Sequence, residues 1–348
     1  MTARIWLAIL LCVLSSLGMI LTGVILLAVV KLAVIKKKSP IYVISAANMS
    51  NDLIPMLLTV GYITPCTILE HVKEWVKVTA LIGSRPSDQR RHSSAPFGYI
   101  TRSWIVGEGR DHPFAQGIGA VFLFTWYFGS AAQILMAINR LVVVCFPNIG
   151  LFTYRNVCII VFTLYPMAML LTYLSQYLTP CCRFILDHKY ISYSYTEIPG
   201  VPNYSNLYID VPLNASTSAI CSMCYIYVFF FVWRMNRLYS TGSSRDAKRL
   251  KEYKYALQFF FISIFYLSAW ICFRVFPAIM VNSKAEYFVV VSICVTLNCT
   301  ANAVVYLSSN LEVRGILMPT KTSTVVATVQ LSRKSKHSSG VVNTVTQK

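Results

Sequence analysis

Charged residues are scarce in this sequence. Asp, Glu, Lys and Arg make up 13% of its 348 residues and 56% are hydrophobic, whereas a soluble domain carries about 25% charged residues. The formal net charge of +18 suggests nucleic acid as a partner, but the basic residues lie in short clusters between apolar runs, where membrane topology would place them. The composition therefore indicates a polytopic membrane protein in contact with lipids and argues against nucleic-acid binding.

Signatures of an enzyme or a metal site are also missing. All five histidines fall outside the apolar runs, and no H-E-x-x-H motif occurs. Cys221 and Cys224 form a C-x-x-C pair without a second pair or a nearby histidine, so we interpret them as helix residues rather than half of a zinc site. We expect no enzymatic activity, no metal and no cofactor.

Seven apolar runs are long enough to cross a bilayer as helices. The first is longer than the apolar region of a signal peptide, which is about 7–15 residues, and three lysines at 36–38 follow it instead of a cleavage site. We therefore retain it as a span. No repeat relates the two halves of the chain. The predicted spans are residues 5–30, 41–68, 117–146, 157–178, 211–233, 255–280 and 287–309.

The distribution of basic residues predicts the orientation. Lysines and arginines concentrate in the segments that lie in the cytoplasm if the N-terminus is extracellular, especially the loop 234–254 and the tail. The stretch 81–116 is basic yet predicted to lie outside the cell. Basic residues favour the cytoplasmic side mainly in short loops, and long loops cross the membrane largely regardless of their charge. We predict a multi-pass plasma-membrane protein with a cytoplasmic C-terminus. Its membrane domain covers 5–318, with 81–116 as a mobile extracellular loop and 319–348 as a disordered Ser/Thr-rich basic tail.

The outer loop between the fourth and fifth spans contains two N-x-S/T motifs, at Asn203 and Asn214. We favour Asn203 for glycosylation, because Asn214 is close to the bilayer. Three cysteines, Cys66, Cys181 and Cys182, fall at predicted outer ends and are candidates for a disulfide, but their number does not define the pair.

Arg140 interrupts the apolar run "AINRLVVVCFP" at 137–147. An arginine cannot be neutralised in a protein and is costly in hydrocarbon. Its distance along the third span places it at the cytoplasmic edge of the bilayer. It is either a snorkelling, orientation-setting residue or a residue with a function at that edge.

Asp52 lies roughly 16 Å along the second span, near the bilayer midplane. A carboxylate at that depth must be protonated, paired or hydrated, and is functional by default. Asn48 lies one turn away on the same face, and Asn298 and Asn302 have the same spacing in the seventh span. We predict one buried hydrogen-bonded layer between the two spans. The alternative is a polar contact that only joins two helices.

The stretches "AINRLVVVCFP" and "NAVVYLSSNLEVR" (302–314) resemble rhodopsin-like G-protein-coupled receptors, and more specifically the nematode serpentine chemoreceptors of class X or a neighbouring class. The resemblance covers roughly 5–318 without 81–116. The family's acidic-Arg-aromatic triplet corresponds to Asn139-Arg140-Leu141, and its later proline to Pro147. The N-P-x-x-Y element corresponds to 302–306, with Asn302 and Tyr306 present and alanine in place of proline.

The resemblance implies an all-α membrane protein: a seven-transmembrane helix bundle with a short amphipathic eighth helix at "SSNLEVRGIL". It implies a receptor for a small odorant-like ligand whose Arg140 and loop 234–254 contact a heterotrimeric G protein. Several further features depart from the family, among them the lack of an Asn in the first span and of a Trp in the fourth. Asn139 cannot hold Arg140 as a carboxylate would. No cysteine stands at the top of the third span, so the family's usual disulfide from that span to the second outer loop cannot form, and Cys66 with Cys181 or Cys182 is a substitute. The stretch 81–116 is an insertion foreign to the family.

The ligand class can be narrowed from the spans. The third span has no Asp or Glu to bind a protonated amine, and the seventh has no lysine for a retinal Schiff base. Arg274 near the outer end of the sixth span either snorkels or faces a ligand. Aromatic residues in the outer half suit a small apolar odorant or simply pack the bundle; they are Trp126, Tyr127, Tyr266 and Trp270.

Two other function classes remain open. A ligand-gated channel or transporter would favour paired acids or helix-breaking repeats, of which the sequence shows neither. Ligand-gated current without a G protein would distinguish it. A receptor for a peptide is the other alternative.

Overall fold

The computed structural model describes residues 3–37, 39–70, 72, 112–146, 148–187, 190–196, 198, 200–238, 257, 260–275 and 285–318. Four of the sequence predictions fall partly or wholly outside these residues. They concern Pro147, most of the stretch 81–116, most of the loop 234–254, and the tail 319–348.

The described chain is built from helices with one small sheet. The helices are α1 (Ala3–Val30, continued by a π-helical turn at Lys31–Ile35), α2 (Ile41–Leu58, continuing through a π-helical turn at Thr59–Ile63 to Glu70), α3 (Pro113–Cys145), α4 (Tyr154–Tyr173, continued by Leu174–Leu178), α5 (Val211–Leu238, preceded by Asn206–Asp210), α6 (Phe260–Val275), α7 (Val289–Ser309, after a 3₁₀ turn at Ala285–Phe288) and α8 (Leu311–Leu317).

Over the described residues, six of these helices, α1 to α5 and α7, are long and apolar enough to cross a membrane, and α6 is a shorter apolar helix. They correspond in order to the seven predicted spans. The third begins at Pro113, four residues before the predicted start. There His112 caps the helix, since its Nδ1 accepts a hydrogen bond from the backbone N–H of Phe114 at 3.2 Å. Residues 113–116 are therefore helix rather than the end of the predicted loop.

The outward surface of the bundle is apolar. Helices α3 and α7 are the most enclosed, whereas α1, α4 and α5 present large hydrophobic side chains to the outside, among them Leu27, Phe162 and Ile226. Soluble monomers rarely expose contiguous apolar surface on this scale, whereas a spanning helix must present it to lipid tails. The surface is that of a multi-pass membrane protein.

We call the end of the bundle that the charge pattern predicts to be extracellular the outer end, and the opposite end the inner end. An antiparallel hairpin lies at the outer end, formed by β1 (Phe184–Asp187) and β2 (Ser192–Tyr195), with Phe184 opposite Tyr195. The predicted all-α fold did not include it.

Three helices hold this hairpin in place. Gln176, at the end of α4, bonds both backbone groups of Phe184, donating at 2.9 Å and accepting at 3.0 Å. The Ser292 hydroxyl of α7 donates to the Ile191 carbonyl at 2.7 Å, and the Tyr193 hydroxyl lies 2.9 Å from that of Thr59 on α2. Burial raises the pKa of the Tyr193 phenol well above its usual value, so that phenol stays protonated and keeps its contact with Thr59.

A seven-residue helix, α8, follows α7 at the stretch that resembles the family's eighth helix. Asn310 caps it, because its Oδ1 accepts hydrogen bonds from the backbone N–H groups of Glu312 at 3.0 Å and Val313 at 3.1 Å. The cap ends α7 and starts α8 within a single residue.

Candidate functional site

The buried carboxylate of α2 is bound to α7. Asp52 Oδ2 accepts a hydrogen bond from Asn302 Nδ2 at 2.8 Å and from Asn48 Nδ2 at 3.2 Å. The four-residue spacing places Asn48 beside Asp52 on one face of α2. The structure thus brings together three of the four residues predicted for a polar layer; their role as a switch remains a prediction.

The same two helices are joined again one turn towards the inner end. The Tyr306 hydroxyl shares a hydrogen bond with that of Ser45 on α2, and its ring lies 6.4 Å from that of Tyr42. Tyr42 donates to the Glu312 carboxylate at 2.9 Å and accepts from Asn310 Nδ2 at 3.1 Å. Sequence reasoning missed Ser45, although its helical spacing to Asn48 and Asp52 places it on their face.

A small cavity, the central cavity, adjoins the polar layer. Asn298, the fourth predicted layer residue, lines it, and its Oδ1 has no hydrogen-bond partner among the residues that the structure describes. Within the same residues no group of His, Cys, Asp or Glu side chains is arranged to bind a metal ion. The lining consists of Asn48, Asn51, Asp52, Pro55, Thr125, Trp126, Gly129, Gln133, Tyr266, Val295, Asn298, Cys299 and Asn302.

A second small cavity, the outer cavity, lies nearer the hairpin. Its walls are mainly aromatic: the Phe122 ring stacks on Trp126 at 6.2 Å and on Phe184 of the hairpin at 5.2 Å between ring centroids. Trp126 lines both cavities. The lining consists of Phe122, Leu123, Trp126, Phe184, Asp210, Phe273 and Val295.

Asn214 on α5 joins three helices at this level. Its Oδ1 accepts a hydrogen bond from Trp126 Nε1 of α3 at 3.0 Å and another from the Tyr266 hydroxyl of α6. Its Nδ2 donates to Asp210 Oδ1 at 2.8 Å. The side chain is 0% exposed, so Asn214 is unsuited to carry a glycan. The N-x-S motif that suggested one contains no information about burial. Asn203 is half-buried, in the loop before α5.

Asp210 and Arg274 form an ion pair of 3.5 Å between α5 and α6, with side chains 4% and 23% exposed. Sequence reasoning had left Arg274 between snorkelling and a ligand role. The pair could not be read from the sequence, because the two residues are distant in the chain.

The other residues predicted to contact the ligand fall into two groups, those that line a cavity and those that do not. Tyr266 lines the central cavity and Trp126 lines both, whereas Tyr127 and Trp270 line neither. The Tyr127 hydroxyl donates to Ser175 at 3.1 Å, so Tyr127 packs against α4 instead of contributing to a pocket. Trp126 and Tyr127 point apart because successive helical residues are rotated by about 100°.

Arg140 lies near the inner end of α3 and is buried, with 6% of its surface exposed. Asn139 beside it is buried as well, and Leu141 is half-buried. The Asn139 Nδ2 has no hydrogen-bond partner among the described residues. The described inner end therefore encloses the guanidinium, and a partner can reach it only after the helices around it separate.

The cysteines differ from the predicted disulfide. Cys181 is bonded to its neighbour Cys182, so neither sulfur is left to link with Cys66. Cys66 is buried near the outer end of α2, where it packs with Tyr62 and Ile63 in an apolar cluster. The predicted link from Cys66 to the outer loop is absent from this arrangement.

Replacing Asp52 by alanine should destabilise the protein, because the Asn48 and Asn302 amides would lose their shared acceptor. We expect a loss of about 1–3 kcal/mol for each amide left unpaired. Asp52→Asn keeps one oxygen in place and should lose less. Thermal unfolding of the purified protein measures both effects, and equal midpoints for wild type and Asp52→Ala would contradict the contact.

The bundle, its buried polar layer and the buried arginine of α3 define the class of rhodopsin-like seven-helix receptors. The crystal structure of squid rhodopsin superposes with a TM-score of 0.66 over 93% of this chain and 82% of that chain, at 12% sequence identity. An identity this low establishes the shared fold alone.

The particular family follows from the sequence. A profile of the serpentine type 7TM GPCR chemoreceptor family Srx matches residues 105–310, more than half of the chain, and the chain belongs to that family. The match starts inside the stretch 81–116, so residues 105–116, predicted to be a foreign insertion, are part of the family segment. No curated protein matches this sequence.

Proposed function

We propose that this protein is a chemosensory receptor that binds a small odorant-like ligand between the outer halves of α3, α5, α6 and α7, and signals through a heterotrimeric G protein. The observation that carries the proposal is the position of Trp126. Its side chain lines both the outer cavity and the central cavity that contains Asp52 and Asn302. A ligand in the outer cavity therefore displaces a residue that also borders the polar layer.

The ligand acts by binding one arrangement of the helices more tightly than the other. In the resting arrangement, Asn302 is bound to Asp52 and Tyr306 to Ser45, which holds α7 against α2. Rearrangement of this layer loosens the inner end, and Arg140 with the basic loop 234–254 then contacts the G protein. The Asp52–Asn302 contact is the bistable element of this mechanism.

The proposed orientation places the outer end outside the plasma membrane and the C-terminus in the cytoplasm. It is supported by the clustering of lysines and arginines in the loop 234–254 and in the tail. Asn203 is then the glycosylation site of the outer loop, and the tail 319–348 faces the lipids and kinases of the cytoplasm. Residues 5–318 form the receptor domain.

The proposal is tested by expressing the full chain in cells with a second-messenger reporter and screening an odorant panel. We expect an odorant-evoked signal that disappears when the cells lack heterotrimeric G proteins. Trp126→Ala should lower that signal at least about tenfold, because the residue contacts both cavities. Phe162→Ala is the matched control, since Phe162 is an aromatic residue that is 76% exposed on the outward face.

Two results would contradict the proposal. One is an odorant-gated ionic current that persists without G proteins, which indicates a channel. The other is an equal loss of signal in the Trp126 and Phe162 variants at equal surface expression, which removes the cavity from the mechanism.

A further inference from the structure

The outer cavity contains one buried carboxylate whose hydrogen-bonding capacity is only partly used. Asp210 Oδ1 accepts from Asn214 Nδ2 at 2.8 Å, and Oδ2 has the Arg274 guanidinium at 3.5 Å. That guanidinium nitrogen makes no hydrogen bond to any described residue, so its contact with Asp210 is a long ion pair. An ionised carboxylate has about four acceptor sites. Asp210 therefore has room for a donor supplied from the cavity that it lines.

The two partners of this ion pair differ in their freedom to move. Asp210 is 4% exposed and held by Asn214 on its own helix, whereas Arg274 is 23% exposed and sits near the outer end of α6. A long arginine side chain at that position can turn outward and reach water. Asp210 cannot reach water in this way. A carboxylate that is left buried without a cation is strongly destabilised.

The difference in mobility between Asp210 and Arg274 favours a cationic ligand over an anionic one. An anion that bound Arg274 would leave Asp210 buried and unpaired, whereas a cation that bound Asp210 would release Arg274 to the solvent. The other walls are compatible with a cation as well, because Phe122, Trp126 and Phe184 line the cavity and aromatic rings attract ammonium groups. The outer cavity is small, which limits the ligand to a small molecule.

We propose that the outer cavity takes a small aromatic or aliphatic amine, whose ammonium group binds Asp210 in exchange for Arg274. This inference rests on the proposed receptor function and adds the ligand class. The partner for a protonated amine, which the third span does not offer, is then supplied by Asp210 before α5. The exchange also breaks the ionic link between α5 and α6, so the ligand favours an arrangement in which this contact between the two helices is lost.

The test uses the full-length receptor in lipid nanodiscs and measures its thermal unfolding midpoint with three matched probes. 2-Phenylethylamine, 2-phenylethanol and 3-phenylpropanoate share a phenyl ring and present an ammonium, a hydroxyl and a carboxylate group. We expect a dose-dependent rise of the midpoint with the amine alone. Asp210→Asn should weaken the apparent affinity for the amine at least about tenfold, whereas Arg274→Gln should strengthen it, because no cation then competes.

Two controls make the same charge changes away from the cavity. Glu70→Gln removes a carboxylate that pairs with Arg4 at 3.0 Å at the outer end of α2, and Arg155→Gln removes an exposed arginine at the inner end of α4. Neither should alter the response to the amine. A purely structural ion pair would lower the midpoint of both cavity variants without changing the selectivity among the probes.

Three results overturn the proposal. The first is that the carboxylate probe raises the midpoint of the wild type but not that of Arg274→Gln. The others are that all three probes raise the midpoint equally, or that the amine leaves it unchanged. Binding is measured without a G protein, so its outcome is separate from that of the signalling screen. A receptor that signals to a neutral odorant and is indifferent to Asp210→Asn would retain the proposed function and lose this inference.

Discussion

Replacing Arg140 by alanine should abolish G-protein activation and leave the receptor at the cell surface. The guanidinium is buried at the inner end of α3 in this arrangement, and in the proposed mechanism it becomes accessible when the inner end opens. It then offers five N–H donors in a fixed planar array, which alanine removes completely. The measurement is agonist-dependent nucleotide exchange on the G protein, together with surface labelling of the intact cells.

Arg155→Ala is the matched control, because Arg155 is an exposed arginine at the inner end of α4. It should couple normally, since the change removes the same charge from the same end of the bundle. Arg140→Lys keeps the charge but loses the planar array and should couple weakly. Normal coupling by Arg140→Ala would remove this residue from the signalling mechanism.

Replacing Gly119 by alanine should destabilise the folded receptor strongly. Gly119 lies on α3 directly beneath the hairpin, where an added β-carbon would come within 2.8 Å of the carbonyl carbon of Phe184 and 3.2 Å of the Ile185 Cα. Both are backbone atoms, held by Gln176 and by strand pairing, so neither can rotate away. Overpacking of this kind costs about 1–3 kcal/mol, which should appear as a lower unfolding midpoint and reduced surface expression.

Gly117→Ala provides the control for this effect two residues earlier on the same helix. An added β-carbon at Gly117 meets nothing within 4 Å, and alanine favours helix over glycine by roughly 1 kcal/mol. That variant should be as stable as the wild type or more stable. If both alanine variants unfold at the same temperature, the close approach of the hairpin to α3 is wrong.

The seven helices could be predicted because a spanning helix must satisfy its own backbone and present apolar side chains to lipid, which leaves long unbroken runs in the sequence. The contact between Asp52 and Asn302 could also be predicted. Polar residues at similar depths with helical spacing have few partners other than one another.

Other parts of the site could not be predicted from the sequence. The hairpin is two strands of four residues in a polar loop, too short to leave a periodic signal. Asn214 was misread because a glycosylation motif is local, whereas its burial depends on the rotation of α5 against α3 and α6. In the same way, the rotation of α3 about its own axis decides that Trp126 lines the cavities and Tyr127 does not. Asp210 and Arg274 meet only through the packing of α5 and α6.

The hairpin at the outer end should affect the kinetics of ligand binding. Phe184 forms part of the wall of the outer cavity, and side chains from three helices hold the two strands in place. In the proposed receptor, movement of this hairpin would affect the rates at which a ligand enters and leaves the outer cavity. We therefore expect the signal to decay, after the ligand is removed, over a time set by that movement.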